Sequence, residues 1–261
     1  DSINYGVDEL DVKIYKWDFN QIEDSVELIA VPTYRDGEIF YDSIIVYQFD
    51  NVNSFLQKGY EYELVVKNNK SGNLVSSRTE IVTGFDFDNI FTTKSKSFQF
   101  GLYTNNDFSS STITWDDSND NGKIYQLDLI FHYTEIMDGV DTEDSLIYSL
   151  PLIDETESKM KIEGNSFFNF LALNLDKNQS VIRYFNEIDM IMTVGSEDLE
   201  TYINVNKPIT GIVQERPQFT NINNGIGLFS SRFKKIRIDY DLTSSTLDYL
   251  KSVEGLDRNF Q

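Results

Sequence analysis

The sequence predicts an all-β protein built as two β-sandwich units with a few short helices. Three observations carry that expectation. The hydrophobic residues suit a pleated, half-buried surface: 19 Phe and 15 Tyr stand beside abundant Ile and Val, and Ala is scarce. Two segments, 60–66 and 125–133, alternate apolar and polar residues with a period of two. Long runs of Ala, Leu, Glu and Lys at helical spacing are nearly missing. A chain of 261 residues has room for one large all-β domain or two smaller ones. A boundary near residue 90 is expected, with a first β domain over 1–90 and a second, carrying the helices, over 91–261.

The elements follow in order. In LDVKIYKW, residues 10–17, Leu10, Val12, Ile14 and Lys16 fall on one face of a strand. VELIAV, 26–31, is a short apolar run, and PTYRDGEIFY then supplies a turn at Asp36-Gly37. Gly59 interrupts the chain, after which Tyr60, Tyr62, Leu64 and Val66 alternate against Glu61, Glu63 and Val65. NNKSGNL, 68–74, reads as a hairpin loop and VSSRTEIV as its return strand. Segment 84–98 is expected to join the two units. The most regular strand lies within 115–135. There Tyr125, Leu127, Leu129, Phe131 and Tyr133 share one face, and Ile124, Gln126, Asp128, Ile130 and His132 share the other. NSFFNFLALNLD, 165–176, spaces Phe167, Phe170, Leu171 and Leu175 as a helix does, with Asn165 or Ser166 as its cap. SEDLETYINV, 196–205, opens on Ser196 and an acidic first turn. TSSTLDYLKSV, 243–253, is a third helix, capped by Ser244 or Ser245 and docked through Leu247 and Leu250.

The formal net charge of -21 repels phosphate backbones, so nucleic acid is not an expected partner, nor is anionic lipid reached through a basic face. A surface of that charge also serves simply to keep the chain soluble. There is no cysteine, which excludes a disulfide scaffold, a thiol nucleophile and thiolate metal sites. No apolar run approaches the ~20 residues that span a bilayer. No signal peptide is visible, and the abrupt opening DSINYGVDEL fits a mature or trimmed product that has lost a lipid-bearing cysteine upstream.

Asp117-x-Asn119-x-Asn121-Gly122, with Asp128 further on, approximates the spacing of a calcium loop. The last position holds Asp in place of the bidentate Glu, and Asp128 sits on a strand that runs away from the turn. A polar Asn-Gly hairpin accounts for the same residues. His132 is the only histidine, too few for the imidazoles of a typical zinc site, and no Gly-x-Ser-x-Gly elbow accompanies it. A rim histidine on a sheet is the reading, and neither a metal nor a cofactor is expected. With 43 acidic residues, a glycosidase pair has no specificity as a signal. No catalytic residue is assigned.

RPQFTNINNGIGLFSSR, 216–232, has two closely spaced glycines but no Gly-Lys-Ser/Thr, and the strand-like RFKKIRIDY follows it. The stretch reads as a special turn beside a strand, not a phosphate loop. Gly225 or Gly227 is expected at positive φ, with Leu228 and Phe229 fixing the loop on the second unit. Asn221, Gly225, Gly227, Phe229 and Arg232 are its candidate partner-binding or structural residues, because loops on rigid sheets carry binding.

The phrase Leu56-x-x-Gly59-x-x-Tyr62-x-Leu64 resembles fibronectin type III and related immunoglobulin-like modules. A longer series resembles uncharacterised envelope lipoproteins of Bacteroidota-type bacteria. It runs through Trp115, the 125–135 strand, Ile162-x-Gly164-x-Ser166-Phe167-Phe168 and Val194-Gly195-x-x-x-Leu199-x-x-Tyr202-Ile203. It ends on Phe219-Thr220-Asn221-Ile222-x-x-Gly225-x-Gly227-Leu228-Phe229-Ser230-Ser231-Arg232. The resemblance covers roughly residues 50–251. It implies a non-enzymatic lipoprotein at the outer membrane or cell surface, anchored through an N-terminal lipid. Its expected partner is a protein, such as an outer-membrane β-barrel of a transport, secretion or assembly component. The chain departs from that pattern in lacking the lipid cysteine. The alternative is a carbohydrate- or small-ligand-binding module, since faces rich in Tyr and Trp stack on sugars.

Overall fold

The computed structural model describes residues 5–34, 43–50, 52–88, 96–102, 107–116, 121–154, 158–207 and 218–261. The described residues are mostly strand, arranged in several largely antiparallel sheets, with three helices of eight residues or more and no barrel among them. The chain forms two compact units, Asp1–Val82 with Gly195–Arg232, and Thr83–Val194 with Phe233–Gln261. The chain passes from the first unit to the second at 82/83, and neither unit is one continuous stretch. Segment 195–232 returns to the first unit.

The first unit begins with β1 (Leu10–Asp18), β2 (Gln21–Glu27), β3 (Ile29–Tyr34), β4 (Ser43–Gln48), β5 (Glu61–Asn68) and β6 (Leu74–Glu80). A four-stranded sheet has the order β2-β1-β5-β6, and β3 pairs separately with β4. The alternation in β1 places Val12, Ile14 and Lys16 inward, as its spacing requires. Lys16 is tolerated there because its ammonium donates to Gln57 Oε1 at 2.8 Å and lies 3.8 Å from the Tyr60 ring centroid. Ile14, Phe55 and Tyr62 form the centre of the core, with Val26, Leu28, Phe49, Leu64 and Phe229 against them. The Tyr62 hydroxyl donates to Phe55 O at 3.0 Å and accepts from Gln57 N–H at 2.7 Å, so its polar end is satisfied inside. Gly72, at φ 74°, closes the β5–β6 hairpin on Asn68, whose side chain accepts from Lys70 and Ser71 N–H groups. The Asp36-Gly37 turn lies outside the described residues.

The rest of the chain runs β7 (Asp86–Phe87), β8 (Ser97–Phe98), β9 (Ser110–Asp116), β10 (Ile124–Met137), β11 (Val140–Ser149), β12 (Ile153–Asp154), β13 (Lys159–Glu163), α1 (Gly164–Asn174), β14 (Ile182–Gly195), α2 (Glu197–Asn206), β15 (Arg232–Leu242) and α3 (Ser244–Lys251). In the second unit a six-stranded sheet has the order β11-β10-β14-β15-β8, with β12 beside β10. A three-stranded sheet has the order β13-β9-β7. The predicted face of β10 is buried throughout: Tyr125, Leu127, Leu129, Phe131 and Tyr133 are each at most 3% exposed; Ile124, expected on the other face, is also buried where the strand begins. Ile188, Met190, Met192 and Val194 of β14 are buried as well. The β9 residue Trp115 stacks at 5.1 Å on Tyr125, and Phe167 of α1 lies 6.1 Å from Phe131.

The described parts of segment 84–98, expected to join the units, belong to the second unit. Phe85, Phe87 and Phe98 are buried, and β7 and β8 join the two sheets of the second unit. The three helices stand where expected; Ser196 caps α2 at the expected position, and the caps of α1 and α3 move. The N-cap positions are Glu163, Ser196 and Thr243, and none makes a side-chain cap bond. The C-terminus of α1 is instead closed by Arg258, which donates to Ala172 O and Leu175 O.

Candidate functional site

The glycine loop of 218–231 is built by its own side chains. Thr220 Oγ1 donates to Gly227 O at 2.9 Å and accepts from Gly227 N–H at 3.0 Å. Asn221 donates through Nδ2 to Phe229 O at 2.7 Å and to Asp198 Oδ2 at 2.9 Å, and accepts through Oδ1 from Phe229 N–H at 2.9 Å. Two adjacent residues thus copy the backbone bonding of a ladder and draw the loop ends together. The closed loop covers the edge of β6. Asn223 exchanges backbone bonds with Ser76, Asn221 O accepts from Ser77 Oγ, and Ser231 Oγ bridges Glu80 O and Val82 N–H. An edge left open would be a template for unwanted pairing, so this cover has a structural role.

The positive φ falls on Asn224, at 59°, and on Gly227, at 155°. Gly225 has no positive φ. The chain passes close to its neighbours there: a Cβ would stand 3.0 Å from Ile222 Cγ2 and 3.1 Å from Val75 Cγ1, so those methyls would have to give by a few tenths of an ångström. Phe229 packs on the Ile14–Phe55–Tyr62 cluster of the first unit, not on the second unit as expected. The hydrogen-bonded attachment to β6 sets that choice, and it is invisible to local pattern. Ile226, 85% exposed, and Arg232 face solvent.

A second cluster occupies the outward face of the six-stranded sheet. His132 projects from β10, opposite the buried Phe131 and Tyr133, and its Nε2 lies 3.1 Å from Asp189 Oδ2 of β14. Glu187 stands two residues away on the same strand, and one ligand atom from each of the three lies within 4.8 Å of the others. On β15 the inward residues change from odd to even positions where Asp239 takes φ 65°, as an inserted residue does. The Asp239 N–H then donates to Asp189 Oδ1 at 3.3 Å. Partial burial, followed by the nearby carboxylates of Asp239 and Asp189, holds the Glu187 carboxyl above its ordinary range. Sequence reasoning placed His132 on this face but missed both acidic partners.

A polar cleft of about 340 Å³ lies at the far end of β10, lined among others by Tyr133, Glu135, Asp144, Asp176 and Arg183. Its cation is already committed. Arg183 Nε donates to Glu135 Oε1 at 2.7 Å, and Nη1 donates to the carbonyls of Asp176 and Arg258. Burial, then Asp144, raises the Tyr133 phenol, which donates to Asp144 Oδ2 at 3.2 Å. A phenol held protonated is a poor general base. These groups clasp the C-terminal segment, where Arg183 and Phe260 form a parallel bridge.

Of the calcium-loop residues, Asp117 and Asn119 lie outside the described residues. Asn121 Oδ1 accepts from Thr83 N–H at 3.0 Å, and Asp128 is half-buried on the outward face of β10. No protein-family model, curated protein or solved structure matches the chain. No helix among the described residues is long and apolar enough to cross a membrane.

Proposed function

We propose that the chain is a non-enzymatic, surface-associated lipoprotein of the bacterial outer membrane that binds another protein, with a β-barrel component as the expected partner. One observation carries the binding part of this reading. The outward face of the six-stranded sheet keeps isoleucines in water: Ile147, Ile236 and Ile238 are 60%, 54% and 54% exposed. Ile130, paired with Ile147, and Ile191 are half-buried beside the same face. Apolar side chains gathered on one rigid face of a strongly acidic chain suit a protein contact. The envelope location and the barrel partner rest on the resemblance of the Thr-Asn-Ile-x-x-Gly-x-Gly-Leu-Phe phrase.

The finer architecture belongs to the same proposal. The Tyr62 hydroxyl reaching back to Phe55 O, within the Leu56-x-x-Gly59-x-x-Tyr62 phrase, fits the tyrosine corner of immunoglobulin-like sandwiches. That supports an immunoglobulin- or fibronectin-like first unit. The ring contact of Trp115 with Tyr125 supports a second sandwich.

Carbohydrate binding is less well supported. Trp115 is 3% exposed, and the Arg78 guanidinium lies 4.2 Å from the Trp17 ring. The Trp115 indole is thus buried, and one face of the Trp17 indole is covered by Arg78. The test is a pull-down from solubilised outer membranes with the wild type and an Ile236→Glu/Ile238→Glu variant. Near-stoichiometric capture of a barrel protein by the wild type, lost in the variant, is expected. Retention on glycans by both chains, with no membrane protein captured, would transfer the function to the carbohydrate reading.

A further inference from the structure

An acidic patch on a chain of net charge -21 is ordinary and carries nothing alone. The outward cluster on β10 and β14 differs because the chain's one imidazole is part of it. We propose that His132, Glu187 and Asp189 form a site for a divalent transition-metal ion, with zinc as the ion their donors suit.

The donor set comes first. Calcium and magnesium take oxygen ligands, whereas imidazole suits zinc and its neighbours in the first transition row. One nitrogen and two carboxylates give three protein ligands and leave coordination open for water or for a donor from outside.

Spacing comes second. Ligands held about 2.0–2.2 Å from zinc in tetrahedral geometry stand roughly 3.3–3.5 Å from one another. His132 Nε2 and Asp189 Oδ2, at 3.1 Å, are already close to that separation. Glu187, within 4.8 Å and on a longer arm, closes the set by side-chain rotation alone.

Support comes third. The ligands stand on adjacent strands of a sheet, which fixes their Cβ positions. The Asp239 N–H holds Asp189 Oδ1, which leaves Oδ2 turned to the imidazole. Side-chain exposures of 32% for His132 and 19% for Asp189 leave the site open to an ion from solvent.

Charge comes last. Asp239 adds a third carboxylate beside Glu187 and Asp189, and the described groups acting on Glu187 include one opposing influence, His132. A dication offsets that local excess.

The test uses metal-stripped, tag-free protein and two readouts. One is calorimetric titration with zinc chloride. The other is the nitrogen spectrum of the imidazole, which is assigned at once because the chain has a single histidine. One equivalent of zinc should saturate the site and move the His132 Nε2 resonance, while magnesium at the same concentration should not. His132→Gln and Asp189→Asn should each weaken zinc binding by at least tenfold while keeping the wild-type circular dichroism spectrum. Ring nitrogens unmoved by an equivalent of zinc would overturn the site. So would an equal response to magnesium, or wild-type zinc affinity in both variants.

Discussion

Phe131→Ala gives the most direct test of the second unit's core. Phe131 is fully buried, and its ring centroid lies 5.3 Å from Phe185, 5.9 Å from Tyr133, 5.9 Å from Phe260 and 6.1 Å from Phe167. A buried Phe removes roughly 150–200 Å² from water, and at about 25 cal/mol per Å² that is ~4–5 kcal/mol. Alanine retains a part, leaving a loss of about 3 kcal/mol. The four rings come from β10, β14, α1 and the C-terminal segment, so they cannot all move in to fill the space. The cavity adds a further 1–2 kcal/mol, for a total of about 4–5 kcal/mol, within the usual range for Phe→Ala. The assay is urea unfolding followed by tryptophan fluorescence in a Trp17→Phe background, where Trp115 reports on the second unit alone. With a slope of about 2 kcal/mol per molar, the midpoint should fall by about 2 M. Leu173→Ala, at a side chain 86% exposed, should shift stability by less than about 0.5 kcal/mol. A Phe131→Ala midpoint within experimental error of the parent would refute the assigned face of β10.

In the glycine loop, Gly227→Ala should cost about 1–3 kcal/mol by forcing a side chain to φ 155°. Gly225→Ala should cost less, because the Ile222 and Val75 methyls need yield only a few tenths of an ångström. Chemical denaturation ranks the two, and the reverse order would sink the conformational argument. The Asp86 carboxyl is held below its usual range, chiefly by its hydrogen bond from Lys235 at 2.5 Å. A depressed carboxylate contributes stability above its unfolded value near 3.8, and that contribution disappears as the pH falls through the folded value. Asp86→Asn should therefore cost at most about 1 kcal/mol at pH 7, since the group is largely exposed, and less at pH 2. A cost undiminished at pH 2 would point to packing in place of charge.

Where order is local, the sequence carried it. The alternation of β10 identifies all five buried positions from Tyr125 to Tyr133, and β1 is legible down to the inward Lys16. A period of two needs no knowledge of partners. The organisation of the units is different. Segment 195–232 belongs to the first unit because Asn223 meets Ser76 and Phe229 enters the Ile14–Phe55–Tyr62 core. Those contacts span well over a hundred residues of chain, and no local pattern encodes them. The helix ends were legible only in part for a related reason. Serine and asparagine mark where an N-terminal acceptor is available, whereas the C-terminal carbonyls of α1 are met by Arg258, a donor from far along the chain that no local pattern shows.

The acidic partners of His132 were hidden by a change of phase. In β14 Arg183 is buried and Phe185 lies against Phe131, so odd positions face inward at the start of the strand. From Ile188 onward the even positions are buried. Continuing the initial alternation would send Glu187 and Asp189 into the core, where two carboxylates without cations are untenable. One shift in phase turns both toward His132. The second shift, on β15, brings the Asp239 N–H to Asp189. A change of phase that turns polar side chains onto one shared spot is how strands commonly re-aim side chains at a site. The consequence is specific. If Asp239→Gly, which accepts the positive φ and keeps the N–H, preserves stability and zinc affinity, the backbone bond suffices as support. If it preserves stability and weakens zinc binding tenfold, the Asp239 carboxylate is itself a fourth ligand.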